Sequence, residues 1–406
     1  MKFYIHTYGC QMNVRDSEAV EAMLIASGHQ KAETEAEAEL VIINSCTVRQ
    51  KAEEKALGKA GNMIAAGKRT GMMGCAVRRL GEALKKKLPK LDFAVAPGEL
   101  DKIPYVTKGD PLADHSLKPS VFSAFVTVMT GCDNCCSYCI VPKVRGHEYS
   151  RPMDDIVREV ECLANNGIKE VTLLGQSVLR YRGFPTLLRR LDGIAALERI
   201  RFTSAHPSGC TDELLAAYRD CKKVCRHLHL PVQSGSNRIL KSMGRRYTRE
   251  EYLAAVEKLH SFDPEFSVTS DVIVGYPGES EEDFELTRSL MNEAGFDNAF
   301  IFKYSPRPGT RSAEMEDDVT TAEKERRDQV LLADQEQRGQ LRNERLIGTI
   351  REVLVEGPSK RNAMRWSGRD SGNRIVVWDA TSGESGKLVR VKINAAHPQI
   401  LLGELI

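Results

Sequence analysis

Residues 122–139 read FSAFVTVMTGCDNCCSYC, a strand-like run that ends in four cysteines, Cys132, Cys135, Cys136 and Cys139. As two tandem C-x2-C pairs they suggest zinc. Zinc knuckles, however, stand about a dozen residues or more apart, so that two turns can face each other across one tetrahedral ion. Cys135 and Cys136 are neighbours and leave no room for a second knuckle. The ferredoxin run C-x2-C-x2-C-x3-C does not match either. What remains is Cys132-x3-Cys136-x2-Cys139, three thiolates around a compact object. A 4Fe-4S cluster held that way leaves one iron open to a small ligand, and Cys135 becomes the surplus cysteine.

The same stretch opens a strand-helix alternation. FSAFVTVMT, EVTLLG, ERIRFTSA, VCRHLHLP, FSVTSDVIVG and AFIFKYS are strand candidates separated by helical patterns such as DDIVREVECLANNG and REEYLAAVEKLHSF. This predicts a partial (β/α)6 TIM-like barrel over 121–320, with its chemistry at the carboxyl ends of the strands. An earlier alternation fills 1–106. There KFYIHTYG, ELVIINS and RTGMMG read as strands, and SEAVEAMLIASG, VRQKAEEKALGKAGNMIAAG and VRRLGEALKKKL as helices. It predicts an N-terminal parallel α/β domain. Each of its strands runs into a cysteine, Cys10, Cys46 or Cys75. A shared carboxyl edge can bring the three together despite their separation in sequence.

Residues 107–120, TKGDPLADHSLKPS, read as a linker. The charged segment 321–342 reads as a connecting helix. In 343–406 five short strands predict a small OB-like β-barrel. From residue 341 onward there are eleven Lys or Arg against seven Asp or Glu, together with both tryptophans, Trp366 and Trp378. That mixture suits a grip on a phosphate backbone with stacked bases, although core tryptophans under a solvated surface fit as well. The fold class is therefore α/β with a β-barrel appended.

The 406 residues are 41% hydrophobic and 28% charged with a net charge of +2, so attraction for nucleic acid must come from local patches. No apolar run reaches the ~18 residues of a membrane span, and the protein is expected in the cytoplasm with no membrane contact. Eleven cysteines in that reducing compartment favour metal ligation over disulfides. Cys162, Cys210, Cys221 and Cys225 lack ligand-like context and read as buried small hydrophobes. His206, His227 and His229 read as satisfied structural residues.

Cys132-x3-Cys136-x2-Cys139 after the first strand of a partial barrel is similar to the radical S-adenosylmethionine superfamily. The resemblance narrows over the whole chain to the methylthiotransferases. TYGCQMN (7–13), NSCTVR (44–49) and the Gly74-Cys75 pair resemble their three-cysteine N-terminal domain. YCIVPKVRGHEYSRP, HLPVQSGSNRILKSM, VIVGYPGE and KYSPRPGT resemble their barrel motifs, and the last block resembles a TRAM domain. TYGCQMN with HLPVQSGS looks most like the subfamily that acts on N(6)-dimethylallyladenosine at position 37 of tRNA. The alternatives are threonylcarbamoyladenosine in tRNA, a ribosomal-protein aspartate, or a metal-stabilised RNA-binding protein without catalysis.

The resemblance implies two 4Fe-4S clusters, one on Cys132, Cys136 and Cys139 and one on Cys10, Cys46 and Cys75. It also implies S-adenosylmethionine as methyl donor and radical source. The partners implied are the tRNA anticodon loop and an electron donor such as flavodoxin or ferredoxin, with the chain acting as a monomer. Gln176, Gln233 and Ser234, at strand ends, are expected to bind the nucleoside cofactor. Gly275 is expected to let backbone approach its adenine. Arg145, Arg151 and Arg307 are expected to meet tRNA or a cofactor carboxylate. Two departures stand out: Cys135 occupies a position that is usually aromatic, and Ser177-Val178-Leu179 replaces an asparagine-rich stretch.

Overall fold

The computed structural model describes residues 1–107, 122–379 and 383–406. All of the expected linker except Thr107 lies outside them.

The first unit is a parallel sheet in the order β2-β1-β3-β4-β5. Its strands are β1 (Lys2–Tyr8), β2 (Gln30–Lys31), β3 (Leu40–Ser45), β4 (Arg69–Met73) and β5 (Phe93–Val95). β3 is central and every one of its residues is buried, because both sheet faces are covered. Helix α1 (Gln11–Ala26) sets Val20 and Leu24 against Phe3, Leu40 and Ile42 on one face. On the other face α2 (Gln50–Ala65) packs Ala56, Ala60 and Met63 against Val41, Ile43 and Met72. VRRLGEALKKKL forms two helices rather than the single one expected, α3 (Cys75–Leu80) and α4 (Glu82–Lys87), because Gly81 between them adopts φ +50°. The short strands β2 and β5 carry too few residues to show a period, and the unit ends in α5 (Ile103–Val106).

All six strands of the second alternation are present. β6 (Ser123–Thr127) is followed by a two-residue pair, β7 (Met129–Thr130) and β8 (Tyr149–Ser150), with α6 (Val141–Arg145) between them. Then come α7 (Met153–Asn165), β9 (Glu170–Leu174), α8 (Phe184–Asp192), β10 (Arg199–Phe202), α9 (Asp212–Asp220), β11 (His227–His229), α10 (Asn237–Ser242), α11 (Arg249–Phe262), β12 (Ser267–Val274), α12 (Glu281–Ala294) and β13 (Asn298–Lys303). The parallel triplets β6-β9-β10 and β11-β12-β13 join through a bridge from Ile200 to Val224, forming one arc. Alternate strand residues face the helices in a single large core, including Val126, Leu173, Ile200, Val268 and Val272.

Helix α13 (Thr321–Glu344) leads to a closed barrel of β14 (Ile350–Ser359), β15 (Asn362–Asp370), β16 (Ile375–Asp379), β17 (Leu388–Ala396) and β18 (Ile400–Leu405), ordered β14-β15-β16-β18-β17. Closure removes the exposed edges that five short strands would otherwise present. Trp378 is buried in its core, whereas Trp366 is only partly covered. This barrel docks on the amino-terminal edge of the arc. Arg199 Nη1 donates to Arg369 O at 2.6 Å, Arg201 Nη2 to Asp370 O at 2.7 Å, and Arg374 pairs with Asp297 at 2.6 Å.

Candidate active site

Cys10 follows β1 and caps α1, Cys46 follows β3, and Cys75 opens α3 behind β4. These strands are adjacent and parallel, so their carboxyl ends deliver three thiols to one edge. Two buried amides fix the turns. Asn13 Nδ2 donates to Asn44 Oδ1 at 3.0 Å, Asn44 Nδ2 donates to Asn13 O at 2.7 Å, and the Cys10 N–H donates to Asn13 Oδ1 at 3.2 Å. Gly74 adopts φ +97°, and a Cβ there would strike Asn44 Oδ1 and Ser45 O. A hydrogen bond with the Cys46 side chain holds the Cys10 thiol below its ordinary range and pushes Cys46 up, while burial pushes Cys75 up. Metal binding at such a site must release protons.

The second trio sits on the loop between β7 and α6. Cys132 N donates to Gly146 O at 3.1 Å and Cys139 N to Cys136 O at 3.2 Å. Ser137 ties the loop to the far strands, its hydroxyl 2.7 Å from Tyr276 Oη and 3.0 Å from Ser242 O. Burial pushes the Cys139 thiol up to about 12 and raises Cys132. Cys135 is turned to solvent, its Sγ 3.8 Å from Asp133 O. Arg245, missed in the sequence, donates from Nη1 to Cys136 Sγ at 3.6 Å while lying on the Tyr247 ring.

Sulfur-only donor sets suit iron-sulfur clusters better than hard cations. Among the described residues no three Cys, His, Asp or Glu side chains close to the spacing of a single ion. Thiolates that each take a different iron stand wider apart, and two such trios fit clusters in donor type.

Helix α6 connects the trios. It begins two residues after Cys139, and Ile140 and Val144 pack directly on Cys75. Arg145 at its end donates to Asp16 Oδ2 of α1 at 2.7 Å and sets its positive charge near Cys75. Beyond β13, Arg307 donates from Nε to Val48 O at 3.0 Å and from Nη1 to Gln50 Oε1 at 3.3 Å. The guanidinium of Arg49 lies 5.0 Å over the Phe302 ring. The carboxyl edge of the first sheet is thus held over the carboxyl end of the arc.

The remaining expected residues divide. Gln176 Oε1 is buried without a partner, and so is the hydroxyl of Ser177, a residue 2% exposed. Buried orphan oxygens at a strand end mark a place for a ligand. Gln233 holds φ +72° and Ser204, after β10, φ +62°, a conformation that non-glycine residues keep only where the surroundings impose it. The Ser234 hydroxyl lies 3.3 Å from Thr287 Oγ1 and accepts the Ser236 N–H at 3.2 Å. Gly275 adopts φ +70°, and the side its Cβ would take is filled by the Lys324 stem. Arg151 braces the fold, with Nη1 on Thr127 O at 2.7 Å and on Glu159 at 2.7 Å. His206 packs edge-on to Tyr247, and burial with Arg245 and Arg180 nearby lowers it to about 4. His227 and His229 both reach Thr269 Oγ1 at 3.0 Å.

Three family models match: "Radical SAM superfamily" over 126–291, "Uncharacterized protein family UPF0004" over 2–96 and "TRAM domain" over 344–406. A solved radical S-adenosylmethionine methyltransferase from Kitasatospora setae, with cobalamin and a [4Fe-4S] cluster bound, superposes with a TM-score of 0.60. Identity is 15% over 77% of each chain, which speaks for the fold alone. Curated relatives named tRNA-2-methylthio-N(6)-dimethylallyladenosine synthase match over full length. That of Opitutus terrae is 42% identical over 100% of this chain and 97% of its own, and that of Syntrophomonas wolfei is 43% identical over 100% and 98%. Identity of that order over the whole length means that the chain belongs to the radical S-adenosylmethionine family of tRNA-2-methylthio-N(6)-dimethylallyladenosine synthases.

Proposed function

We propose that the chain uses S-adenosylmethionine as methyl donor and radical source to convert N(6)-dimethylallyladenosine, beside the anticodon of tRNA, into its 2-methylthio derivative. The observation that carries this reading is the α6 bridge. A helix that starts two residues after Cys139 and packs Val144 on Cys75 links the two cysteine-bearing loops, which supports a reaction needing both a radical and a sulfur source.

In this reading Cys132, Cys136 and Cys139 hold one 4Fe-4S cluster, and Cys10, Cys46 and Cys75 hold a second. When bound, the clusters supply the electron that cleaves S-adenosylmethionine and a site for the sulfur to be transferred. The chain's own residues then position and exclude. Gln176 and Ser177 turn unpartnered oxygens toward the cofactor, and Gln233 fixes the loop opposite. Arg245 steadies Cys136. Arg145 and Arg307 act first as clamps between the two units, and Arg151 as a brace behind the loop. The terminal barrel grips RNA phosphates, its sequence-independent contacts leaving selection to the chamber. A flavodoxin or ferredoxin serves as reductant, and the protein works as a cytoplasmic monomer. No helix among the described residues is long and apolar enough to cross a membrane.

Nucleoside analysis of tRNA from a strain lacking the gene tests this. The methylthio nucleoside is expected to vanish while its dimethylallyl precursor accumulates, and plasmid-borne enzyme restores it. An unchanged nucleoside profile overturns the reading.

A further inference from the structure

Strand β13 carries two aromatic rings, Phe300 exposed and Phe302 partly covered. Ala299 and Ile301 face the helix-covered core, so Asn298, Phe300 and Phe302 face the lumen of the arc. Phe300 is 48% exposed despite its size. Its ring meets that of His229 at 6.0 Å, and Phe300 pairs in register with Asp271, whose carboxylate lies 3.5 Å from His229 Nε2. Phe302 pairs with Ile273, which packs in one cluster with Tyr138 of the radical-site cysteine loop. Arg49, three residues past Cys46, covers the Phe302 ring from the other side. The aromatic wall therefore runs between the two trios, with a polar pair at its deeper end.

We infer that Phe300 and Phe302 form the subsite for the branched five-carbon N6 substituent of the target adenosine, and so determine specificity for an already prenylated base. This rests on the proposed function. The substituent is the apolar part of an otherwise polar nucleotide, and the exposed Phe300 ring with the partly covered Phe302 beside it is the complementary surface. Removing an apolar branched group from water onto such rings favours binding by about tenfold or more.

The test uses the reconstituted holoprotein and two anticodon stem-loop hairpins, one with N(6)-dimethylallyladenosine and one with plain adenosine. Dissociation constants come from fluorescence anisotropy. Wild type is expected to prefer the prenylated hairpin by about tenfold or more. Phe300→Ala should bring that preference within about twofold, and Phe300→Leu should keep most of it. Equal binding of both hairpins by wild type, or an undiminished preference in Phe300→Ala, overturns the inference. Failure of loaded wild type to methylthiolate the prenylated hairpin would instead strike the proposed function, because the preference is read at binding without turnover.

Discussion

Cys135 and Cys136 are adjacent in sequence and opposite in setting. Cys136 receives a guanidinium N–H from Arg245 and shares its loop interior with Cys132 and Cys139, whereas the Cys135 sulfur faces solvent. Cys135→Ser is therefore expected to bind as much iron and sulfide as wild type after anaerobic reconstitution. Cys136→Ser should lose about four iron atoms per chain, the content of one cubane. Iron loss in Cys135→Ser with none in Cys136→Ser would move the ligand from one cysteine to the other. That the strands end in cysteines was legible, because a strand end is a local pattern. Asn13 on Asn44 and Arg245 on Cys136 were not, since these contacts join residues 31 and 109 positions apart. The contact of Ser234 with Thr287 on α12 was hidden for the same reason.

Among the elements, α12 shows how a helix end shapes the chamber. Ser280 caps it and Asp283 completes the capping box. Asp283 also accepts from Ser236 Oγ at 2.5 Å and from Arg238, which ties the helix to the loop carrying Gln233. Burial alone would raise this carboxyl. The hydrogen bonds from Arg238, Ser236 and Ser280 outweigh it and hold Asp283 at about 2. A carboxyl held below its unfolded value stabilises the fold fully above about pH 4, and that contribution fades as pH falls toward 2. Asp283→Asn is expected to cost about 2 kcal/mol in urea unfolding at pH 7, with the gap to wild type closing below about pH 3. A gap independent of pH would assign the effect to lost packing. The strand-helix alternation around such elements was readable from periodicity. The break at Gly81 and the short strands β2 and β5 were not, because one left-handed residue or two paired ones carry no period.

At the scale of the molecule, the chamber lies at the carboxyl edge of the arc and the terminal barrel docks on the opposite edge. An RNA engaging both must follow the side of the arc across one strand length, about 25 Å for an eight-residue strand such as β12. That geometry works only if the barrel is fixed, and the docking is built from buried ion pairs rather than a wide apolar face. Asp370, with its side chain 1% exposed, accepts from Arg351 Nη2 at 3.1 Å and from the Arg374 N–H at 2.8 Å. Arg374 in turn reaches Asp297 across the junction. Removing one carboxylate leaves buried guanidinium groups short of charge, a larger penalty than the pair's own net worth. Asp370→Ala is expected to cost about 3–5 kcal/mol of barrel stability, seen as an earlier separate transition in calorimetry. Cluster iron should be retained, because no cysteine of either trio touches the junction, while hairpin affinity falls as the barrel loses its fixed orientation. A single unshifted transition with unchanged RNA binding would mean that the apolar contacts around the ion pairs suffice to hold the barrel, and that its position does not set how tRNA approaches the chamber.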